Sequence, residues 1–354
     1  MRLVTADALH EFAASCLRGV GIGAADADVV ADVLVHADLR GLDAHGVYRL
    51  PAYLKRVVQG MAGGGDAVRV VAGSGAVRRV DGGSALGPIA AVRATDFACD
   101  LAREHGIGLV AVGHSTHLGA AGYYALRAAQ ADLVGIVTSN GPKAVAPIGA
   151  AEPFLGTNPL AIGIPLGRHG AFLHDMATGA SREQIRRAAA AGEPIEPGIA
   201  VDADGNPTID AAAALMGSVL PAGGAKGSGI SLAISLLISM LGGADADADI
   251  PLMITDPPQR QNVGHMIVVI DPWRLQDRDT ALARVEDVID RVHALRPAAG
   301  VDQVRVPGER AAALARQRAA EGIPVPVKEL LRWAESLTAL GLAEQAEWAR
   351  TTAG

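Results

Sequence analysis

The chain has 354 residues, a formal net charge of -7 and two cysteines, Cys16 and Cys99. That length exceeds what one hydrophobic core usually supports, so one large or two modest domains are expected, at roughly 100 to 200 residues each. The acidic balance and the 3% aromatic content argue against a nucleic-acid partner, which needs clustered Lys and Arg. Two distant cysteines outside a C-x-x-C pair support neither a disulfide framework nor a thiolate zinc site, and they point to a reducing compartment.

The first residues, Met1 to Asp7, carry no long apolar run after their positive charge, so no secretory signal is read. Thr5 is placed as the N-cap of a helix over Ala6 to Leu17. Gly19, Gly21 and Gly23 break it before a second helix over Ala24 to Leu39. The loop Gly41-Leu42-Asp43-Ala44-His45-Gly46 precedes a third helix, expected over Val47 to Val58. From Ala67 the pattern turns to β-branched runs cut by glycine, giving strands at Val68 to Val71, Val77 to Val80, Gly108 to Val112 and Val134 to Thr138. Helical composition over Ile89 to His105 and Ala120 to Ala131 alternates with them, which reads as an α/β domain.

Further strands are expected at Pro159 to Ile164, Ala171 to His174 and His265 to Ile270, with a helix near Arg182 to Ala190. The longest apolar stretch, Ile230 to Leu241, falls short of the about 20 residues a bilayer crossing needs and reads as a buried helix. The alternating Ala/Asp tract Ala244 to Asp249 suits an exposed loop. After Asp271 the chain returns to helix, most clearly over Thr280 to Ala294 and Val327 to Leu340, and the two helical ends could pack as one lobe.

The common catalytic fingerprints are absent. Gly223-Gly224-Ala225-Lys226-Gly227-Ser228-Gly229 has neither Rossmann nor Walker spacing, and no nucleophile elbow or zinc-binding H-E-x-x-H helix occurs. That cluster is either a tight turn or, with free amides and Lys226 ahead of a helix, an anion site. Asp43-Ala44-His45-Gly46 with Arg49 is either a capping loop with a surface arginine or a proton donor beside a carboxylate-binding fork. The latter pairing is what reduction of a 2-oxo acid requires. Gly113 to Gly119 follows a strand and precedes a helix, where ligand loops occur. Its histidines lack the carboxylates or cysteines of a metal site, so no metal is expected. Leu155 to Pro159 is a turn by composition, and Asp175 could cap a turn or bind a ribose hydroxyl.

Several ordered motifs carry a resemblance: A-D-L-R-G-L-D-A-H-G-V-Y-R from Ala37, H-L-G-A-A-G-Y-Y from His117, G-T-N-P-L-A from Gly156, D-M-A-T from Asp175, G-G-A-K-G from Gly223, and R-V-P-G-E from Arg305. Over nearly its whole length the chain resembles the type 2 malate/L-lactate dehydrogenases. That family includes ureidoglycolate and sulfolactate dehydrogenases and a cyclic-imine carboxylate reductase branch. The resemblance implies a non-Rossmann NAD(P)-binding α/β domain over residues 67–271 and a helical lobe from residues 1–66 and 272–354. It also implies a cytoplasmic homodimer with its site near the subunit interface, without nucleic acid or membrane as partner. The implied reaction moves a hydride between NAD or NADP and the α-carbon of a small 2-hydroxy or 2-oxo acid. The alternatives within reach are reduction of a cyclic imine carboxylate and nucleotide binding without turnover.

Carried over by motif, His45 and His117 match catalytic acid/base residues, and Arg49 and Thr157 match substrate-binding ones. His117, Leu118, Gly119, Ala120, Ala121, Asn140, Asp175, Met176, Ala177, Lys226 and Gly227 match cofactor or substrate contacts. Three positions depart from the pattern. Ala44 replaces a serine, Gln184 stands in the column of an aspartate, and Ala225 replaces a histidine. All three are expected to strip hydrogen-bonding chemistry from around His45, weakening its acid role or passing it to His117 or water.

Overall fold

A computed structural model describes residues 1–354. The chain opens with β1 (Arg2–Val4), α1 (Ala6–Gly19), α2 (Ala24–Leu39) and α3 (Leu50–Val58). It continues through β2 (Arg69–Ala72), β3 (Val77–Asp81), α4 (Gly87–His105), β4 (Ile107–Ser115), α5 (Ala121–Gln130) and β5 (Val134–Ser139). Next come β6 (Leu160–Pro165), β7 (Ala171–Met176), α6 (Arg182–Ala191), β8 (Ala200–Val201), α7 (Ala211–Met216), β9 (Ser218–Val219) and α8 (Ala225–Gly242). The last part holds β10 (Val263–Ile270), α9 (Arg278–His293), α10 (Glu309–Glu321), β11 (Ile323–Val325), α11 (Val327–Ala339) and α12 (Ala343–Ala353).

Seven strands form one sheet in the order β2-β3-β4-β10-β5-β6-β7. Only β3 and β4 run parallel; every other neighbouring pair is antiparallel. A doubly wound nucleotide fold is built on parallel strands, so this sheet has no place for the Rossmann turn the sequence lacks. Helices α4 and α5 cover one face, where Val110, Val112, Val137, Ile267 and Val269 meet Ala98, Ala102, Tyr124 and Ala128 in a shared core. Side chains alternate along a strand, so Met266 points to the opposite face, and there it packs against Ile234 and Ile238 of α8.

A second core of 31 buried residues joins the two ends of the chain. Leu9, Phe12 and Leu17 of α1, Leu34 of α2 and Tyr53 of α3 pack with Trp333 and Leu337 of α11 and Ala346 of α12. Thr5 caps α1 as expected, its hydroxyl accepting from the Ala8 amide at 3.3 Å. By contrast α9 lies at the sheet edge, through Ile289 against Leu166 and Val306. Elements that the composition did not announce are β1, β8, β9, β11, α7, α10 and α12; of these β11 and α12 pack into the second core, and β8, α7 and β9 share a small cluster of their own through Ala200, Ala211, Ala214 and Val219.

Two expectations fail in an instructive way. The apolar stretch is not a buried helix: α8 starts at Ala225, and its 18 residues are long and apolar enough to cross a membrane by length and composition alone. It lies along the sheet with Ser228, Ser231 and Ser235 turned inward, while Ile230, Leu232, Leu236, Leu237 and Met240 face outward. The Ala/Asp tract is not simply an exposed loop either, because Asp247 within it is fully buried.

Candidate active site

The His45 segment is shaped by glycine and by one buried carboxylate. Residues Asp43–His45 and Val47–Arg49 form two short 3-10 turns hinged at Gly46, and α3 begins only at Leu50, with Pro51 in its first turn. The helix expected from Val47 is therefore interrupted, and Arg49 caps α3 rather than sitting inside it. Its Nε donates to the Ala44 carbonyl at 2.7 Å, and no carboxylate pairs with it, so the outer guanidinium nitrogens stay available. At the end of α2, Asp38 accepts the Val47 amide at 2.8 Å. A Cβ on Gly46 would come within 1.8 Å of the Asp38 carboxylate, so only glycine allows this approach. Burial pushes the Asp38 carboxyl up to about 7, against the Val47 amide, which favours the charged form.

Across the cleft, β4 ends at Ser115 and the chain turns into α5. His117 stands in this turn with its ring stacked on that of His45, centroids 5.7 Å apart and planes 18° from parallel. Tyr53 of α3 brings its hydroxyl to 2.8 Å from His117 Nδ1, and the Gly119 amide donates to the same nitrogen at 3.2 Å. Burial, and then the positive charge of Arg49, lower both histidines: His45 to about 4 and His117 well below its ordinary value. Both imidazoles are neutral at neutral pH. His114, by contrast, is exposed and bonds Asp81 at 3.3 Å, away from His117. No three His, Cys, Asp or Glu side chains converge as metal ligands.

A cavity of about 230 Å³ lies between these walls. It gathers His45, His117, Leu118, Gly119, Ala120, Ala121, Asn140, Thr157, Asp175 and Ala177, which the sequence scatters over 133 positions. A second cavity of about 210 Å³ shares Leu42, Ala120 and Asp175 with it, so the cleft extends past the start of α5. Asp175 lines both cavities, and its carboxylate accepts the Gly122 amide in the first turn of α5 at 3.0 Å. Arg49 lines a neighbouring cavity instead, and Met176, Lys226 and Gly227 lie outside the 230 Å³ lining, Lys226 being exposed in the first turn of α8.

The three departures also look different in place. Ala44 borders a further cavity whose wall includes Glu183, one residue before the exposed Gln184, so a carboxylate does stand on that side of the loop. Ala225 opens α8 and does not line the His45 cavity.

Sequence reasoning missed two residues that organise the site. Tyr53 is hidden in the apolar stripe of an ordinary amphipathic helix, and nothing in its spacing separates it from a core residue. Asp247 accepts from Gly156 N (2.7 Å), Asn158 Nδ2 (2.7 Å), Ser235 Oγ (2.8 Å) and Asn140 Nδ2 (3.2 Å). It thereby ties the residues on both sides of Thr157 to Asn140, and both of those line the cavity.

The malate/L-lactate dehydrogenase family profile matches residues 4–332. The L-sulfolactate dehydrogenase of Methanothermobacter thermautotrophicus is 37% identical over 317 residues, spanning 89% of this chain and 91% of that one. The (2R)-3-sulfolactate dehydrogenase (NADP(+)) of Chromohalobacter salexigens is 35% identical, covering 95% and 99%. Among solved structures, sulfolactate dehydrogenase from Methanocaldococcus jannaschii superposes with a TM-score of 0.90 at 33% identity, over 97% of this chain and 98% of that one. These relatives make the chain an NAD(P)-dependent oxidoreductase of small 2-hydroxy and 2-oxo acids. The chain belongs to the malate/L-lactate dehydrogenase family.

Proposed function

We propose that this protein interconverts a small 2-hydroxy acid of the sulfolactate or malate kind with its 2-oxo acid, using the cleft between His45 and His117. One observation carries the reading: two neutral imidazoles from separate elements face one cavity, and the unpaired guanidinium of Arg49, tied to the His45 loop through the Ala44 carbonyl, lines the cavity beside it. Arg49 would fix the substrate carboxylate, a role suited to its planar fork, and Thr157 would line the opposite wall. His45, neutral and without a hydrogen-bond partner among the side chains, would take the hydroxyl proton on oxidation and release it to solvent; on reduction it would relay a proton taken from solvent to the oxygen.

The residues present fit a dinucleotide. The small side chains of Gly119, Ala120 and Ala121 leave the N-terminus of α5 open along the extended cleft, a setting that favours phosphate, and Asp175 stands at its far side. Leu118 to Ala121, Asn140 and Asp175 to Ala177 would hold NAD or NADP. When bound, the nicotinamide would exchange the hydride with the α-carbon. Two further properties belong to this reading. A homodimer is supported by the outward side of α8, where Ile230, Leu232, Leu236, Leu237 and Met240 are exposed together on one helix. A cytoplasmic location is supported by two free, buried cysteines.

Purified protein mixed with NADH or NADPH and with oxaloacetate, sulfopyruvate or pyruvate, followed by cofactor absorbance, tests the proposal. Turnover with sulfopyruvate or oxaloacetate is expected to exceed that with pyruvate. Cofactor binding without turnover of any acid would overturn it.

A further inference from the structure

We propose that His117 acts as a neutral hydrogen-bond donor, held with its proton on Nε2 by the Gly119 amide and by Tyr53, and that Tyr53 is its positioning residue. This rests on the reading above and assigns the two histidines different work. The backbone amide of Gly119 points at His117 Nδ1 from 3.2 Å, and an amide nitrogen can only donate. Nδ1 must therefore present its lone pair. Protonating it would set two N–H groups against each other and leave a buried amide without an acceptor.

The amide cannot easily turn away. Gly119 has φ of +86°, and a Cβ there would lie 2.9 Å from Val33 of α2, so packing and backbone together hold the turn. The Tyr53 hydroxyl stands 2.8 Å from Nδ1 and 3.3 Å from the His117 carbonyl; with the Gly119 amide already requiring a lone pair on Nδ1, its single proton turns to Nδ1, the shorter contact. The groups that act on the charge of His117 are Arg49, His45 and His265, all of which disfavour a second proton; Tyr53 contacts its ring, and Asp175 lines the same cavity with its carboxylate engaged by the Gly122 amide.

With Nδ1 occupied and Nε2 protonated, the ring can offer a hydrogen bond to a keto oxygen, or to the alkoxide that hydride addition leaves. It cannot accept the alcohol proton. On reduction the alkoxide oxygen therefore gains a solvent proton, directly from water or relayed through His45, and on oxidation the hydroxyl proton leaves by the same route. His117 keeps its own proton throughout.

Histidine-selective 15N NMR of the ligand-free protein, with His117→Gln used for assignment, reads the tautomer directly. The expected result is an unprotonated Nδ1 and a protonated Nε2 from pH 8 down to pH 5.5. A protonated Nδ1, or titration of the ring in that range, would overturn the proposal. Kinetics supply a second reading. The Gln side chain can still offer an N–H near the Nε2 position, so His117→Gln should retain kcat within about tenfold. His117→Ala should lose about 100- to 1000-fold, the usual cost of removing one such donor. Equal loss in both would mean that His117 exchanges protons. Tyr53→Phe should lower kcat about tenfold with little change in KM while the NMR tautomer persists, since Gly119 remains. If no 2-oxo acid is turned over at all, the functional reading fails while the NMR result still decides the tautomer.

Discussion

Asp247 shows how much one side chain can organise. Each of its oxygens accepts two bonds: Gly156 N and Asn158 Nδ2 on one, Asn140 Nδ2 and Ser235 Oγ on the other. Asparagine has the same shape but only one acceptor, so in either orientation its amide group faces at least one fixed donor. Asp247→Asn is therefore expected to lower stability by about 2 kcal/mol, in line with the cost of an unmet buried polar group. KM should rise as well, because Thr157 sits between two of the anchored residues. Thermal melts and initial rates check this; an unchanged melting temperature with an unchanged KM would refute it. None of this was legible beforehand, because an alternating Ala/Asp tract has the composition of a solvated loop and the buried member shows only when its donors, 12 to 107 positions away, are assembled. His45, Arg49 and His117 were legible because their residue types announce their chemistry.

At the scale of elements, the sequence displayed helices where caps and glycines punctuate them. The edges of α1, α4 and α5 fall within a few residues of expectation. What it could not display is which side of an element meets solvent. The α8 stretch is dominated by Ile, Leu and Met, and an apolar run of that kind reads as burial. In place, the inner side is serine-rich because Ser231 and Ser235 serve the Asn158 and Asp247 network, which leaves the leucines outside. Met240 is 81% exposed and Leu236 59%, a cost that a second copy of the chain would remove. A double variant, Leu236→Asp with Met240→Asp, alters only outward positions. It should leave the melting transition of the monomer cooperative while halving the mass measured by analytical ultracentrifugation. A wild-type protein that sediments as a monomer at micromolar concentration would sink the dimer.

Taken as a whole, the molecule buries titratable groups of both kinds, and the balance sets its response to acid. His36 and His45 are lowered to about 4 and His265 to about 3, each chiefly by burial, and His117 lies lower than its ordinary value as well. An unfolded chain binds these protons from about pH 6.5, whereas the folded chain refuses them until near pH 4. The stability they carry is thus fully present above pH 6.5 and is lost as pH falls toward 4. Asp38 works in the opposite sense. Its folded value near 7 exceeds the 3.8 of a free carboxyl, so the native state takes up that proton first and gains stability as pH falls from 7 to 4. Asp175, also raised by burial, adds a smaller contribution of the same sign. Four histidines outweigh two carboxyls, each unit of separation being worth on the order of 1 kcal/mol. The melting temperature should therefore fall by several degrees between pH 6.5 and 4.5. Asp38→Asn can still accept the Val47 amide but has no proton to gain, so its melting temperature should fall more steeply over the same interval. Parallel curves for the two proteins would show that Asp38 is not protonated in the folded state, and a flat wild-type curve would show that the histidines are not held neutral by the fold.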